Sequence, residues 1–332
     1  MRSVKQYLDD YRKLIYYYKL QYKIYFNSII RSRATIITKN KKLNKLNGIY
    51  SIIVNRIKSS FETKINNVIR YQRAVNKSIR SKFPAQFSTK KSLLIGCNYY
   101  GSKSQLNGCI NDATNMSRHL SKKGFSNVLL TDQGLYKPTY INILNQLVYL
   151  LRSAKPGDLL FFMFSGHGSN VRDRNGDESD GKDEVIISSD FKAIKDDDIK
   201  KIIKLYLKPE VTLVTLFDSC YSGTIMDLKY KYLDTLNYNR DEVDINQRDT
   251  LGNVLCLSSS LDSQVSIDEY NGSSYGGAMT TALLEALKEN DQISWRTLIQ
   301  RIREILIKNK NNKQIPQIST GKLHSIDQQI FI

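Results

Sequence analysis

Two side chains in this sequence have the types and settings needed for acyl-transfer chemistry. Cys220 lies in Asp218-Ser219-Cys220-Tyr221-Ser222-Gly223, directly after the apolar run 211–217, and His167 lies in Ser165-Gly166-His167-Gly168, directly after the apolar run 159–164. A thiol needs a base or a positive charge beside it to become a thiolate near neutral pH. An imidazole can take that proton and return it to a leaving amine. Strand C-terminal ends are where parallel α/β sheets place their chemistry. Gly168 leaves its backbone N–H open to an incoming carbonyl, and with the N–H of Cys220 it would form an oxyanion hole. The bland alternative, an inert buried thiol and a core histidine, is disfavoured by the glycine and serine that flank both residues.

Elements able to position this pair are legible on either side. Strand-like runs fall at 93–96, 128–130, 159–164, 185–187, 211–217 and 254–258, and helical patterns at 111–123, 138–152, 196–207, 280–288 and 295–308. Strands alternating with helices predict a mostly parallel sheet covered on both faces. The expected organisation is a helical arm over 1–82, a linker over 83–91 and an enzyme domain over 92–332. Within that domain, 92–227 reads as a larger part, 228–252 as a flexible polar linker and 253–332 as a smaller part.

Charge divides the chain in the same place. Residues 1–90 hold 21 Lys and Arg against 3 Asp and Glu, whereas the remaining 242 hold 29 of each. The arm contains no proline and one glycine, Gly48. Apolar or tyrosine side chains recur at helical spacing through Val4, Leu8, Tyr11, Ile15, Tyr18, Tyr22, Tyr25 and Ile29, and again from Ile49 to Ile79, with a polar break expected over 39–48. A basic helical hairpin follows. It could dock on the enzyme domain, bind an anionic surface such as nucleic-acid phosphate or lipid headgroups, or dimerise or cover the active cleft. The cysteines Cys97, Cys109, Cys220 and Cys256 show no paired spacing, which predicts free thiols in a reducing compartment. No signal-peptide pattern and no long apolar span is visible, so a cytoplasmic location is expected.

The two motifs together resemble the metacaspases, and the spacing of 53 residues from His to Cys falls near the ~50 of caspase-type peptidases. Leu94-Ile95-Gly96-Cys97-Asn98-Tyr99-Tyr100-Gly101, Gly108-Cys109-Ile110-Asn111-Asp112-Ala113, Pro156-Gly157-Asp158, Gly276-Gly277-Ala278-Met279-Thr280 and Pro316-Gln317-Ile318-Ser319 resemble further family signatures, in order, over residues 91–332. The resemblance implies a caspase-like fold, a monomer and a cysteine endopeptidase acting on proteins or peptides after Arg or Lys. Two carboxylates in one pocket, Asp112 and Asp218, would favour a basic side chain on charge grounds alone. By resemblance Cys109 and Ser165 line the same pocket, and Asp262 and Gln264 form a further substrate-side loop.

Many metacaspases are stimulated by calcium, and the resemblance implies Ca2+ ligands at Asp183, at Asp196 and Asp197 (the pair within 196–198 stays open) and at Asp227. The acidic stretch 173–184 does not have EF-hand spacing. An enzyme preferring basic residues would also process itself. Candidate positions are Arg80, Lys82, Lys90 and Lys91 near the arm, and Lys229, Lys231, Arg240 and Arg248 in the polar linker. The sequence departs from the family at Tyr221, where many relatives carry His, and in the basic arm that replaces a proline-rich leader. The rival expectations are a catalytically silent scaffold recruiting partners through the arm, and a clan relative specific for Asn or Asp.

Overall fold

The computed structural model describes residues 4–80, 87–172, 182–220, 225–232, 241–244, 247–259, 268–270, 275–308, 315–322, 326 and 329–332. It divides into two compact units, Met1–Pro84 and Ala85–Ile332.

The first unit is a helical hairpin of α1 (Val4–Arg31) and α2 (Ile36–Arg80). Tyr11 meets Phe61 edge-on at 5.5 Å and Tyr22 lies 4.7 Å from Tyr50, so the two helices run antiparallel. The Tyr22 hydroxyl also donates to Asn47 Oδ1 at 2.6 Å. The polar break expected at 39–48 is corrected. Those residues are helical, and the chain turns at 32–35 instead, where Lys39 N reaches back to Thr35 O. Lysine and leucine are good helix formers, so a run of lysines alone does not end a helix.

In the second unit the elements are β1 (Lys90–Gly96), α3 (Cys109–Lys122), β2 (Ser126–Thr131), α4 (Tyr140–Arg152), β3 (Leu159–Ser165), β4 (Gly168–Arg172), β5 (Lys182–Ile187), β6 (Ala193–Lys195) and α5 (Asp196–Tyr206). They continue with β7 (Thr212–Asp218), β8 (Tyr230–Tyr232), β9 (Asp241–Val243), β10 (Asn253–Ser258), β11 (Asp268–Tyr270), β12 (Tyr275–Gly277), α6 (Ala278–Glu289), α7 (Trp295–Lys308) and β13 (Gln317–Thr320). An eight-stranded sheet runs β2-β1-β3-β7-β10-β13-β8-β9. Its first five strands are parallel, and β13, β8 and β9 add on antiparallel.

Parallel strands buried on both faces read as continuous apolar runs, and β3 is fully buried along its length. Successive side chains feed opposite cores. Phe161 and Met163 join Met116, Leu120, Trp295 and Ile302 on the face of α3, α6 and α7. Phe162 and Phe164 join Leu147, Leu151, Ile199 and Ile203 on the face of α4 and α5.

Two expectations need correcting. The span 228–252 contains β8, whose Tyr230 and Tyr232 are buried and paired with β13, so part of the expected linker is sheet. Polar residues hid it, because only alternate side chains of this short strand are apolar. Lys90 and Lys91 open β1 between β2 and β3, and Lys231 lies within β8, so none of the three lies in an accessible loop.

Candidate active site

Strand register brings the histidine and cysteine loops together. The last parallel pair of β3 and β7 is Ser165 with Asp218, and His167 and Cys220 each lie two residues further on. Gly166 N donates to Asp218 O at 3.4 Å. A Cβ on Gly168 would lie 3.1 Å from the Cys220 carbonyl carbon and 3.2 Å from its nitrogen. The two backbones therefore approach closely enough that only glycine fits at 168, and both candidate oxyanion donors stand on the same edge of the sheet.

His167 is held from two sides. Its Nε2 lies 2.6 Å from the carbonyl oxygen of Ser104. A carbonyl only accepts, so Nε2 carries the hydrogen and the neutral ring keeps its lone pair on Nδ1. Tyr99 packs on the ring at 4.7 Å between centroids, and its hydroxyl accepts from His167 N at 2.9 Å while donating to Ile187 O at 2.6 Å. Burial pushes the Tyr99 pKa well up, which keeps that hydroxyl a donor. Tyr99 itself sits at φ 54°, in the left-handed region. The Asp132 carboxylate fixes this turn by accepting from Asn98 N at 2.7 Å and Tyr99 N at 2.5 Å. Burial raises the Asp132 pKa, and the backbone N–H donors oppose the rise.

Cys220 is half-buried, whereas Cys97, Cys109 and Cys256 are buried. Burial raises the Cys97 thiol well above its ordinary value and pushes Cys256 up to about 12. Those two thiols are set up to stay protonated, and position alone distinguishes Cys220 as the accessible sulfur.

Beside the loops, two carboxylates converge on one glycine. Asp112, in the first turn of α3, accepts from Ser165 Oγ at 2.8 Å and from Gly277 N at 2.9 Å through both oxygens. Asp218, at the end of β7, accepts from Thr280 N at 2.9 Å and Thr280 Oγ1 at 2.8 Å. Both are almost completely buried, at 2% and 4% exposure. A Cβ on Gly277 would lie 2.7 Å from Asp218 Cγ and 2.8 Å from Asp112 Oδ2, so the missing side chain is what lets both acids close on this point. Cys109 begins the helix that carries Asp112. Asp262, Gln264 and Tyr221–Gly223 of the cysteine motif lie outside the described residues, as do Lys82, Arg240 and residues 173–181.

A second acidic cluster lies at the start of α5. One carboxylate oxygen from each of Asp183, Asp196 and Asp197 lies within 4.8 Å of the others. Asp183 and Asp196 are buried, at 1% and 0% exposure, and Asp183 Oδ1 accepts no hydrogen bond. Asp227 joins through Lys200, whose Nζ lies 2.7 Å from Asp227 Oδ2, 3.1 Å from Asp196 Oδ2 and 3.5 Å from Asp197 Oδ1. Lys195 pairs with Asp183. Burial pushes the Asp196 pKa up to about 6 against the pull of Lys200. Burial opposes the charge on Lys200, but Asp227 and Asp196 outweigh it and raise its pKa. A buried carboxylate oxygen without a hydrogen-bond donor, grouped with two further carboxylates, suits a hard cation that takes oxygen ligands. Asp198 is directed elsewhere, to the Tyr140 hydroxyl.

Sequence reasoning missed Ser104, Tyr99, Asp132, Thr280 and Lys200 as parts of these sites. Ser104 acts through its backbone and carries no side-chain signal. Gly277 and Thr280 stood within a quoted signature, but nothing local tied them to Asp112 and Asp218, 165 and 62 positions away. Lys200 could have been found, since it falls three and four residues after Asp197 and Asp196 on one helix face.

A family profile described as metacaspase, peptidase C14 domain, matches residues 90–229. Metacaspase-2 of Trypanosoma brucei brucei is 36% identical over 268 residues, covering 74% of this chain and 77% of the relative. Metacaspase-1A of Aspergillus fumigatus is 36% identical over 295 residues, covering 73% and 70%. The crystal structure of protein GSU0716 from Geobacter sulfurreducens shares the fold, with a TM-score of 0.55 at 23% identity, covering 73% of this chain and 98% of that one. Motifs in order, a parallel sheet with His and Cys loops at one edge, and identity over most of the chain lead to one assignment: this chain belongs to the metacaspase family of caspase-like cysteine peptidases.

Proposed function

We propose that this cysteine endopeptidase cleaves after Arg or Lys through a His167–Cys220 dyad, is stimulated by calcium and processes itself. The observation that carries the specificity is the pair of buried carboxylates, Asp218, two residues before Cys220, and Asp112, hydrogen-bonded to Ser165, which pairs with Asp218 in the β3–β7 register. A guanidinium or ammonium entering beside them would meet acceptor oxygens that are already aimed by Ser165, Gly277 and Thr280. An Asp side chain would meet like charge, which disfavours the rival specificity.

In the reaction, the Ser104 carbonyl holds Nε2–H and leaves Nδ1 to accept the Cys220 thiol proton. The thiolate adds to the scissile carbonyl carbon, and the N–H groups of Gly168 and Cys220 receive the oxyanion. Collapse breaks the C–N bond, with the proton passing from His167 to the leaving amine. Water, deprotonated by His167, then hydrolyses the thioester and restores the thiol. Asp183, Asp196, Asp197 and Asp227 would hold calcium, which supplies a compact double charge tying β5, α5 and the segment after the nucleophile. For self-processing, Arg248 is exposed and outside any strand or helix, and it is the candidate among the described residues that a protease would reach most readily.

A panel of fluorogenic peptides differing only in the residue before the cleaved bond, run with calcium and with EDTA, tests this reading. Cleavage after Arg and Lys, lost in Cys220→Ala and at least about 100-fold weaker in Asp112→Asn and Asp218→Asn, is expected. Equal turnover of neutral and basic peptides would refute it.

The arm carries a further partner reading, an anionic surface. Along α1, Tyr16, Tyr17, Leu20 and Ile24 are exposed on the side away from α2, with Lys13, Lys19 and Lys23 among them. Exposed aliphatic and tyrosine side chains edged by lysine suit an interfacial helix that lies on a lipid surface. No helix among the described residues is long and apolar enough to cross a membrane. Full-length Cys220→Ala protein should float with phosphatidylserine vesicles and detach as salt is raised, and nucleic acid binding with no vesicle binding would reject lipid as the partner.

A further inference from the structure

The acidic cluster already contains a positive charge at its centre. Lys200 Nζ touches Asp196, Asp197 and Asp227 at 3.1, 3.5 and 2.7 Å, and Lys195 neutralises Asp183 from the other side. Those four aspartates are the set assigned above to calcium, and the inference rests on that reading. We propose that Lys200 is an internal counter-ion that a divalent cation must expel before it can engage the cluster.

Space and charge both support this. A cation within ligand distance of Asp196 and Asp227 would occupy the volume where the Lys200 ammonium now sits, because calcium–oxygen distances are about 2.3–2.6 Å. A divalent cation and an ammonium at that range would repel each other while competing for the same carboxylate oxygens. The lysine has somewhere to go. It lines a cleft of about 560 Å³ together with Ile203, Lys204, Met226 and Leu228. The ammonium also performs one task that a divalent ion would perform, since it ties Asp227 to α5. Asp227 sits at φ 37°, a left-handed conformation held between the buried side chains of Met226 and Leu228. The segment that follows the nucleophile is therefore anchored by lysine when calcium is absent and by calcium when the lysine swings out. Lys200 thereby sets the calcium concentration at which the site responds.

Calorimetric calcium titrations on full-length protein in a Cys220→Ala background test this, with binding read directly and no peptidase activity involved. Lys200→Met should bind calcium at least about tenfold tighter than the Cys220→Ala parent. Lys200→Arg should match the parent or bind more weakly, and Lys195→Met should change affinity less than Lys200→Met. In EDTA, Lys200→Met should melt at a lower temperature than the parent, because buried carboxylates lose their counter-ion, and calcium should restore it. Equal or weaker calcium binding by Lys200→Met, or a variant that calcium cannot return to the folded state, would overturn the proposal. Absence of calcium binding in parent and variant alike would instead remove the calcium reading on which it rests.

Discussion

Replacing Gly277 with alanine probes the acidic pocket at its narrowest point. Gly277 has φ −66° and ψ 135°, which any residue can adopt, so the cost of the methyl is steric alone. Its Cβ would lie 2.7 Å from Asp218 Cγ, about 0.8 Å inside the ~3.5 Å at which two carbons touch. The Asp218 carboxylate must retreat, and its two hydrogen bonds from Thr280 then stretch or break. A hydrogen bond to a charged group is worth about 1.5–3 kcal/mol. Weakening two of them should cost about 2–3 kcal/mol, which for a domain of this size lowers Tm by about 4–12 °C. Displacing a binding group by close to 1 Å costs on the order of 100-fold in rate. Gly277→Ala should therefore lose about 100-fold in kcat/KM on an arginine peptide and keep its Cys220 thiol reactive toward iodoacetamide. Differential scanning calorimetry and steady-state kinetics measure both quantities. A variant within threefold of wild type in kcat/KM and within 1 °C in Tm would refute the pocket geometry.

Two other perturbations read different parts of the fold. Tyr232→Ala removes a fully buried ring from β8 and should destabilise the peptidase unit by about 3–4 kcal/mol, as core aromatic truncations do; urea unfolding that leaves stability unchanged would mean that β8 is dispensable. Burial lowers the His119 pKa below 6.5, and its Nε2 is buried without a hydrogen bond. The unfolded chain then binds the proton more readily, so stability is fully present above about pH 6.5 and declines as pH falls through the folded-state pKa. Tm measured from pH 7.5 to 5 should fall, and His119→Gln should flatten that slope.

Much of the enzyme unit was readable because its central strands are buried on both faces. The run 159–164 is uninterrupted apolar sequence and 211–217 is broken only by Thr212 and Thr215, and each leads directly into the motif that carries a candidate catalytic residue. The short strands were not readable, because β8, β9, β11 and β12 are only three residues long and none carries a continuous apolar run. Contacts that set the site geometry were hidden for a different reason. The Ser104 carbonyl and the Gly277 N–H are backbone groups whose partners lie 63 and 165 positions away, and side-chain type does not encode them. Lysine spacing on α5 was visible, but a lysine three or four residues after aspartates reads first as an ordinary surface ion pair.

The order of strands has one more effect. β8 comes from the chain just after Cys220, yet it sits outside β13, which comes from the end of the chain, while β10 and β13 stand between β7 and β8. The two halves are thus laced together, with each gripping the other within one hydrogen-bonded ladder. A cut anywhere between Tyr232 and Asp241 would nick the molecule without releasing either piece, and the fragments would part only under denaturing conditions.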